Sequence, residues 1–324
     1  MVMHFSEISN IYIHVKWFTD NFEWVPLPFP RIVTLTFLFW LAFTLLILLL
    51  TCAFHDPLGK MRPVVRIHGW LHRLRPHTEV ILRFGLAIGL VLQLLSGSYL
   101  APEFRTNSMW IILGLSAAAA CLLYKRTLPL SGAILFLLYI QASLSYGMFH
   151  SIDYLIYLGI VYYLFVCGTP IKRTAAPVMY ICTGMSLAWL AMEKLTIPEL
   201  ACTVMGSYGL PTFGFTIEHF VMISAFIEIG LAWAFIVGIM NRFTALLVSC
   251  IFVMTSLVFG YKEVIGHTII HTVLILFLIE GTGDLRTPFQ FHRSPVLRGL
   301  FVGVNFCLFL FSLMALYIWM GKTL

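Results

Sequence analysis

KEVIGHTIIHTVLILFLIEG, residues 262–281, is an apolar run long enough to cross a bilayer as a helix, yet it carries Glu263, His267 and His271. These three are spaced four residues apart. Four residues is one helical turn plus a small rotation, so the three side chains share one helix face. That face must look at protein or an internal site, because ionisable groups facing hydrocarbon are costly.

The composition around this stretch places the whole chain in a membrane. Of 324 residues, 60% are hydrophobic and 10% are charged, against about 45–50% and about 25% in soluble domains. The apolar runs have helical length, and none shows the two-residue alternation of an outer-membrane barrel. The fold class expected is therefore an all-α polytopic membrane protein. The first thirty residues lack a basic segment followed by an apolar core and a small-residue cleavage site, so no cleaved leader is expected. The net charge of +6 comes from basic residues in short loops, which is a topology signal and argues against nucleic acid as a partner. Seven cysteines are scattered without a CxxC pair, so buried inert thiols are expected.

Apolar spans run approximately over 31–54, 80–100, 107–124, 128–147, 151–168, 176–195, 215–239, 242–260, 264–281 and 297–321, ten in all. Alternating these spans across a bilayer puts fourteen of the twenty basic residues on one side, among them Arg62, Arg83, Lys125, Lys172, Arg242 and Arg286. The positive-inside rule makes that side cytoplasmic and both termini external. A multi-pass protein of a bacterial inner membrane is the expectation. Residues 1–30, aromatic and ending in PLPFP, read as an outer-side interfacial segment. Residues 31–54 form the first span and 55–79 a basic cytoplasmic loop.

An internal repeat organises the rest. YGMFHSIDYLIYLGIVYYLFVCGT from Tyr146 aligns with FGYKEVIGHTIIHTVLILFLIEGT from Phe259, pairing Gly147 with Gly260 and Gly168 with Gly281 at an offset of 113. KRTLPLSGAILFLL from Lys125 likewise resembles NRFTALLVSCIFVM from Asn241. Two parallel four-helix units follow, at 80–170 and 171–283, with 284–324 a loop and a last span. His150 aligns with Glu263, while Tyr154 and Leu158 take the places of His267 and His271. The first unit therefore reads as a scaffold, with His150 and Asp153 solvated at the interface, and the second as the unit with the site.

Residues 186–283 resemble the DoxX family of four-helix membrane proteins. The resemblance rests on AMEKL, on IEIGLAWAFIVGIMNRFTALL with Glu228, Gly238 and Arg242, and on the FG…H…EG close of the last helix. The first unit is a degenerate second copy. The resemblance implies a helical bundle and an association with redox chemistry, since members include a small subunit of thiosulfate:quinone oxidoreductase and partners of oxidative-stress systems.

Depth along the spans picks out the candidate residues. Lys194, Glu218, His219 and Glu263 fall at the outer helix ends, with His267 and His271 one and two turns deeper than Glu263, and Glu228 about 15 Å deeper than Glu218 at 1.5 Å per residue. His267, His271, Glu228 and Lys194 are the expected catalytic core, and Glu218, His219 and Glu263 the ligand-binding mouth. Three readings stay open for this column. His267, His271, Glu228 and Glu263 would ligate iron, copper or zinc. The same groups would exchange protons with a quinone. Or they glue helices, with Glu228 bonded to His271, Glu218 or Glu263 paired with Lys194 or Lys262, and Glu280 holding Arg242. The expected function is a redox-associated protein binding a quinone or metal, with a redox partner on its outer face. A transporter and a non-enzymatic assembly partner are the alternatives.

Overall fold

The structure, a computed structural model, describes residues 25–322. The expected interfacial segment lies almost wholly outside them. A short turn of helix, α1 (Phe29–Ile32), leads into α2 (Leu35–Gly59), whose N-terminus is capped by the Thr34 hydroxyl accepting from the Phe37 N–H. Then come α3 (Arg62–Arg73) and α4 (Thr78–Leu95), a hairpin of β1 (Ser98–Tyr99) and β2 (Ala101–Arg105), α5 (Met109–Cys121) and α6 (Leu128–Tyr146). The chain continues through α7 (Met148–Ser151), α8 (Ile156–Val166), α9 (Ala175–Thr196), α10 (Pro198–Ser207) and α11 (Ile217–Val237). It ends with α12 (Asn241–Phe259), α13 (Tyr261–Glu280) and α14 (Pro295–Gly321).

Among the described residues, eight helices are long and apolar enough to cross a membrane. The region 148–166 is a further crossing only if its two pieces, bent by 60°, count as one span, and α5 has just 13 residues. The outer faces of α2, α12 and α14 expose Phe39, Leu46, Met254, Leu257 and Leu308 among many other large apolar side chains. So much contiguous apolar surface is lipid-facing. The protein is a multi-pass helical membrane protein.

Helices adjacent in sequence pack on one another from α4 through α5, α6, α8, α9, α11 and α12 to α13, and α13 packs back against α4. The return contact is close because Gly85 and Gly89 of α4 lie under α13: a Cβ on Gly85 would meet Thr272 Cγ2 at 2.3 Å, and one on Gly89 would meet Ile269 Cγ1 at 2.4 Å. Small residues let membrane helices approach to backbone distance, where dispersion and weak polar contacts replace the missing hydrophobic drive. The flanking helices α2 and α14 pack on each other and against α11 and α9. Gly147 and Gly260, paired by the internal repeat, both precede a helix with positive φ, +88° and +74°.

The two ends of the bundle differ in chemistry. At one end Arg75 bridges Glu280 (3.2 Å) and Asp284 (3.1 Å), Arg298 meets Asp56 at 2.9 Å, Lys125 meets Glu79 at 3.1 Å, and Arg83 Nε donates to Leu122 O at 2.8 Å. At the other end Leu27 N–H donates to Thr196 O, and Gly321 lies against Pro26 and Phe149. These are called below the basic end and the opposite end.

One departure from the sequence reading bears on the site. The apolar run expected to be helical to residue 100 stops at Leu95 and becomes a short hairpin within the otherwise helical fold. The reversal forces Leu100 into a left-handed conformation with φ +63°, costly for a residue with a branched side chain. Gln93, fully buried, offsets this by accepting from Leu100 N–H at 2.9 Å and donating to Tyr157 Oη at 2.9 Å, while the Tyr157 hydroxyl donates to Leu100 O at 2.7 Å. A fold-back stabilised by one glutamine seven residues earlier leaves no periodic trace in the sequence.

Candidate functional site

The first turns of α13 place Glu263 and His267 on the inner face of the helix, 4% and 3% exposed. His267 Nδ1 lies 2.9 Å from Glu263 Oε2. The contact is not aligned as a hydrogen bond; it is an ion pair when the imidazole is protonated. The Phe252 ring of α12 packs over His267, centroid to centroid 4.3 Å. His271, half-buried one turn further along, sits edge-on to His267 with centroids 6.4 Å apart. The face predicted from four-residue spacing thus turns inward as a carboxylate, an imidazole under an aromatic ring, and a second imidazole.

Glu228 does not join them. It accepts from Lys194 Nζ at 2.8 Å across the α9–α11 interface, both side chains half-buried. The suggested Glu228–His271 bond is therefore corrected: the ammonium opposite Glu228 is the stronger partner, and its flexible stem reaches the carboxylate. Glu280 likewise pairs with Arg75 rather than holding Arg242, whose guanidinium donates instead to Leu278 O and Ile279 O at 2.8 Å each. Glu218 and His219 lie exposed on the first turn of α11. Among the described residues they make no ion pair with the His267 cluster.

Among the described residues, no group of three or more His, Cys, Asp and Glu side chains is gathered so as to hold a metal ion. The proposed set of His267, His271, Glu228 and Glu263 does not fit one, because Glu228 is engaged on another interface.

Glu103, Asp153 and Glu193 are buried carboxylates outside the set of candidate site residues. Glu103 on β2 is 3% exposed and accepts from the Tyr154 hydroxyl. Asp153 (6% exposed) and Glu193 (3% exposed) lie close enough to Tyr317 for their charges to act on its hydroxyl. Trp189, Phe149 and Tyr317 pack edge-to-face and tilted beside them, with Trp189 Nε1 donating to Phe149 O at 3.0 Å. Asp153 is therefore buried rather than solvated at the interface. The available signal was a carboxylate with no basic residue one helical turn away, as at Glu193 within AMEKL. Glu103 gave none, since its depth depends on the hairpin.

All these acidic groups occur at the opposite-end halves of their elements. Along α13 the basic end is closed off by an aromatic layer in which Tyr180 stacks on Phe277 at 3.8 Å and Phe235 lies 5.3 Å from Phe277. Phe277 is six residues past His271, about 9 Å along the axis.

No family model, no curated protein and no solved structure matches the chain.

Proposed function

We propose that this is a redox-associated inner-membrane protein that binds a quinone at the His267 cluster, reached from the opposite end. The observation that carries the reading is the buried pair of Glu263 and His267, 2.9 Å apart beneath Phe252 in an otherwise apolar helix. A carboxylate and an imidazole in contact can pass a proton between them. A bilayer-soluble quinone needs such a proton relay against an aromatic and aliphatic wall, and supplies two-electron chemistry when bound. Glu263 and His267 would hold and pass the proton, His271 would extend the relay, and Lys194 with Glu228 would fix the neighbouring α9–α11 wall. The resemblance to the DoxX family points the same way. Counting α5 and the bent α7–α8 segment as crossings gives ten spans in two parallel four-helix units, and the positive-inside rule puts the basic end in the cytoplasm.

The test is titration of the purified protein with a short-chain quinone, read by calorimetry, on wild type, His267→Ala and Glu263→Gln. Saturable binding that both substitutions weaken supports the proposal; equal binding in all three refutes it. A transporter is the second reading, favoured by carboxylates in both units. It requires passage through the Tyr180, Phe235 and Phe277 layer, so uptake into proteoliposomes that rises in Phe277→Ala would select it.

A further inference from the structure

We propose that a second site, at the basic end, binds the phosphate headgroup of an anionic lipid. A cavity of about 490 Å³ opens there between α3, the end of α2, the start of α12 and the residues after α13, its polar lining including His55, His68, Asn241 and Arg242. Its size suits a glycerophosphate headgroup. Among the described residues, no Asp or Glu lines it. Glu280, the acidic group whose charge reaches Arg242, is held by Arg75 at 3.2 Å. The cavity therefore presents cationic and neutral donors to an anion.

The donors are set in place before any ligand arrives. Arg242 spends two N–H groups on the terminal carbonyls of α13, a favourable position for a cation at a helix C-terminus, and a guanidinium has further donors to offer. It lies across the backbone of Gly281, where an added Cβ would come within 3.0 Å of Arg242 Cζ. Asn241 is 2% exposed, and its carboxamide lies beside the Tyr180 hydroxyl, yet neither its nitrogen nor its oxygen completes a hydrogen bond. His55 Nδ1 is also buried without one, its ring resting on Phe289 at 4.8 Å. Buried polar atoms left unsatisfied are uncommon and costly. Three such atoms, on His55 and Asn241, belong to residues that line this cavity.

The surroundings fit an amphiphile. α3 exposes Val65, Ile67 and Trp70 between Arg62, Arg66 and Arg73, the make-up of a helix lying in the membrane interface. Its half-buried residues Val64 and His68 face the cavity, and exposed Leu58 and Phe243 form the lipid-side rim. Basic pockets between spans at such a depth bind acidic headgroups.

The test uses full-length protein in nanodiscs of phosphatidylcholine, with and without phosphatidylglycerol, read by unfolding midpoint and by mass spectrometry of retained lipid. Wild type should unfold at higher temperature with phosphatidylglycerol and retain it selectively. Arg242→Gln, or Asn241→Leu if that variant fails to fold, should weaken retention about tenfold or more, the scale of one lost charge-assisted contact. Arg62→Gln with Arg66→Gln, on the exposed side of α3, should keep selective retention. Soluble glycerol phosphate should compete only at far higher concentration; if it matches the lipid, the lipid assignment falls. No selectivity for phosphatidylglycerol, or selectivity lost only in the α3 surface variant, overturns the site.

Discussion

Replacing Glu263 by Leu should destabilise the protein far more than replacing Glu263 and His267 together. The side chains of the pair are 5% and 4% exposed. Removing one partner of a buried pair leaves the other polar group without its counter-charge, which costs about 3–5 kcal/mol. Replacing both with apolar groups of similar volume is neutral or stabilising by about 1–4 kcal/mol. Glu263→Leu alone should therefore lose about 3–5 kcal/mol, and Glu263→Leu with His267→Phe, whose new ring would pack on Phe252, should regain most of it. Glu263→Gln keeps the shape without the charge and should fall between, at about 1–3 kcal/mol. The assay is reversible unfolding in mixed micelles, with the four stabilities of the cycle giving the coupling between the two sites. Additive losses, or a Glu263→Leu protein within about 1 kcal/mol of wild type, would show that the 2.9 Å contact carries little energy.

Three further outcomes test the frame that holds the pair. Gly89→Ala would drive a Cβ to 2.4 Å from Ile269 Cγ1; it should cost about 1–3 kcal/mol as overpacking, and Ile269→Ala should restore part of the loss in the same unfolding assay. Gln93→Leu removes the acceptor of the Leu100 N–H and a donor to Tyr157; about 2 kcal/mol or more of stability should go, with faster hydrogen exchange at Leu100. Burial, with Glu218 and Glu199 nearby, pushes the Cys202 thiol of α10 up to about 11. The thiolate fraction at pH 8 is then about one in a thousand, so maleimide labelling of a variant keeping only this cysteine should rise about tenfold per pH unit; a plateau below pH 9 would contradict the burial.

Eight of the ten expected spans and the inward face of α13 were legible because both follow from periodicity and length, which a local window captures; the expected spans at 107–124 and 151–168 are instead a 13-residue helix and a bent pair. Glu263 and His267 were brought together by nothing more than four-residue spacing. What stayed hidden depended on partners distant in sequence. Glu228 is claimed by Lys194, 34 residues away, and no spacing rule chooses between that ammonium and an imidazole on α13. Glu103 is buried because Gln93 and Tyr157 fold the hairpin inward, and Asp153 because the bend between α7 and α8 turns it under α9. α13, the helix that aligns with this region in sequence, is continuous, and its carboxylate, Glu263, is within reach of a histidine one turn on. The motif Glu228, Gly238 and Arg242 also has a structural meaning: a cross-helix ion pair, the end of α11, and a cap on α13.

The central claim, that the His267 cluster holds a quinone, is tested most directly by extracting protein purified in mild detergent with organic solvent and assaying quinone by its redox difference spectrum. The account predicts quinone well above the detergent blank in wild type and His150→Ala, and its loss in His267→Ala and His271→Ala. Wild-type protein free of quinone, or His267→Ala retaining as much as wild type, would contradict it.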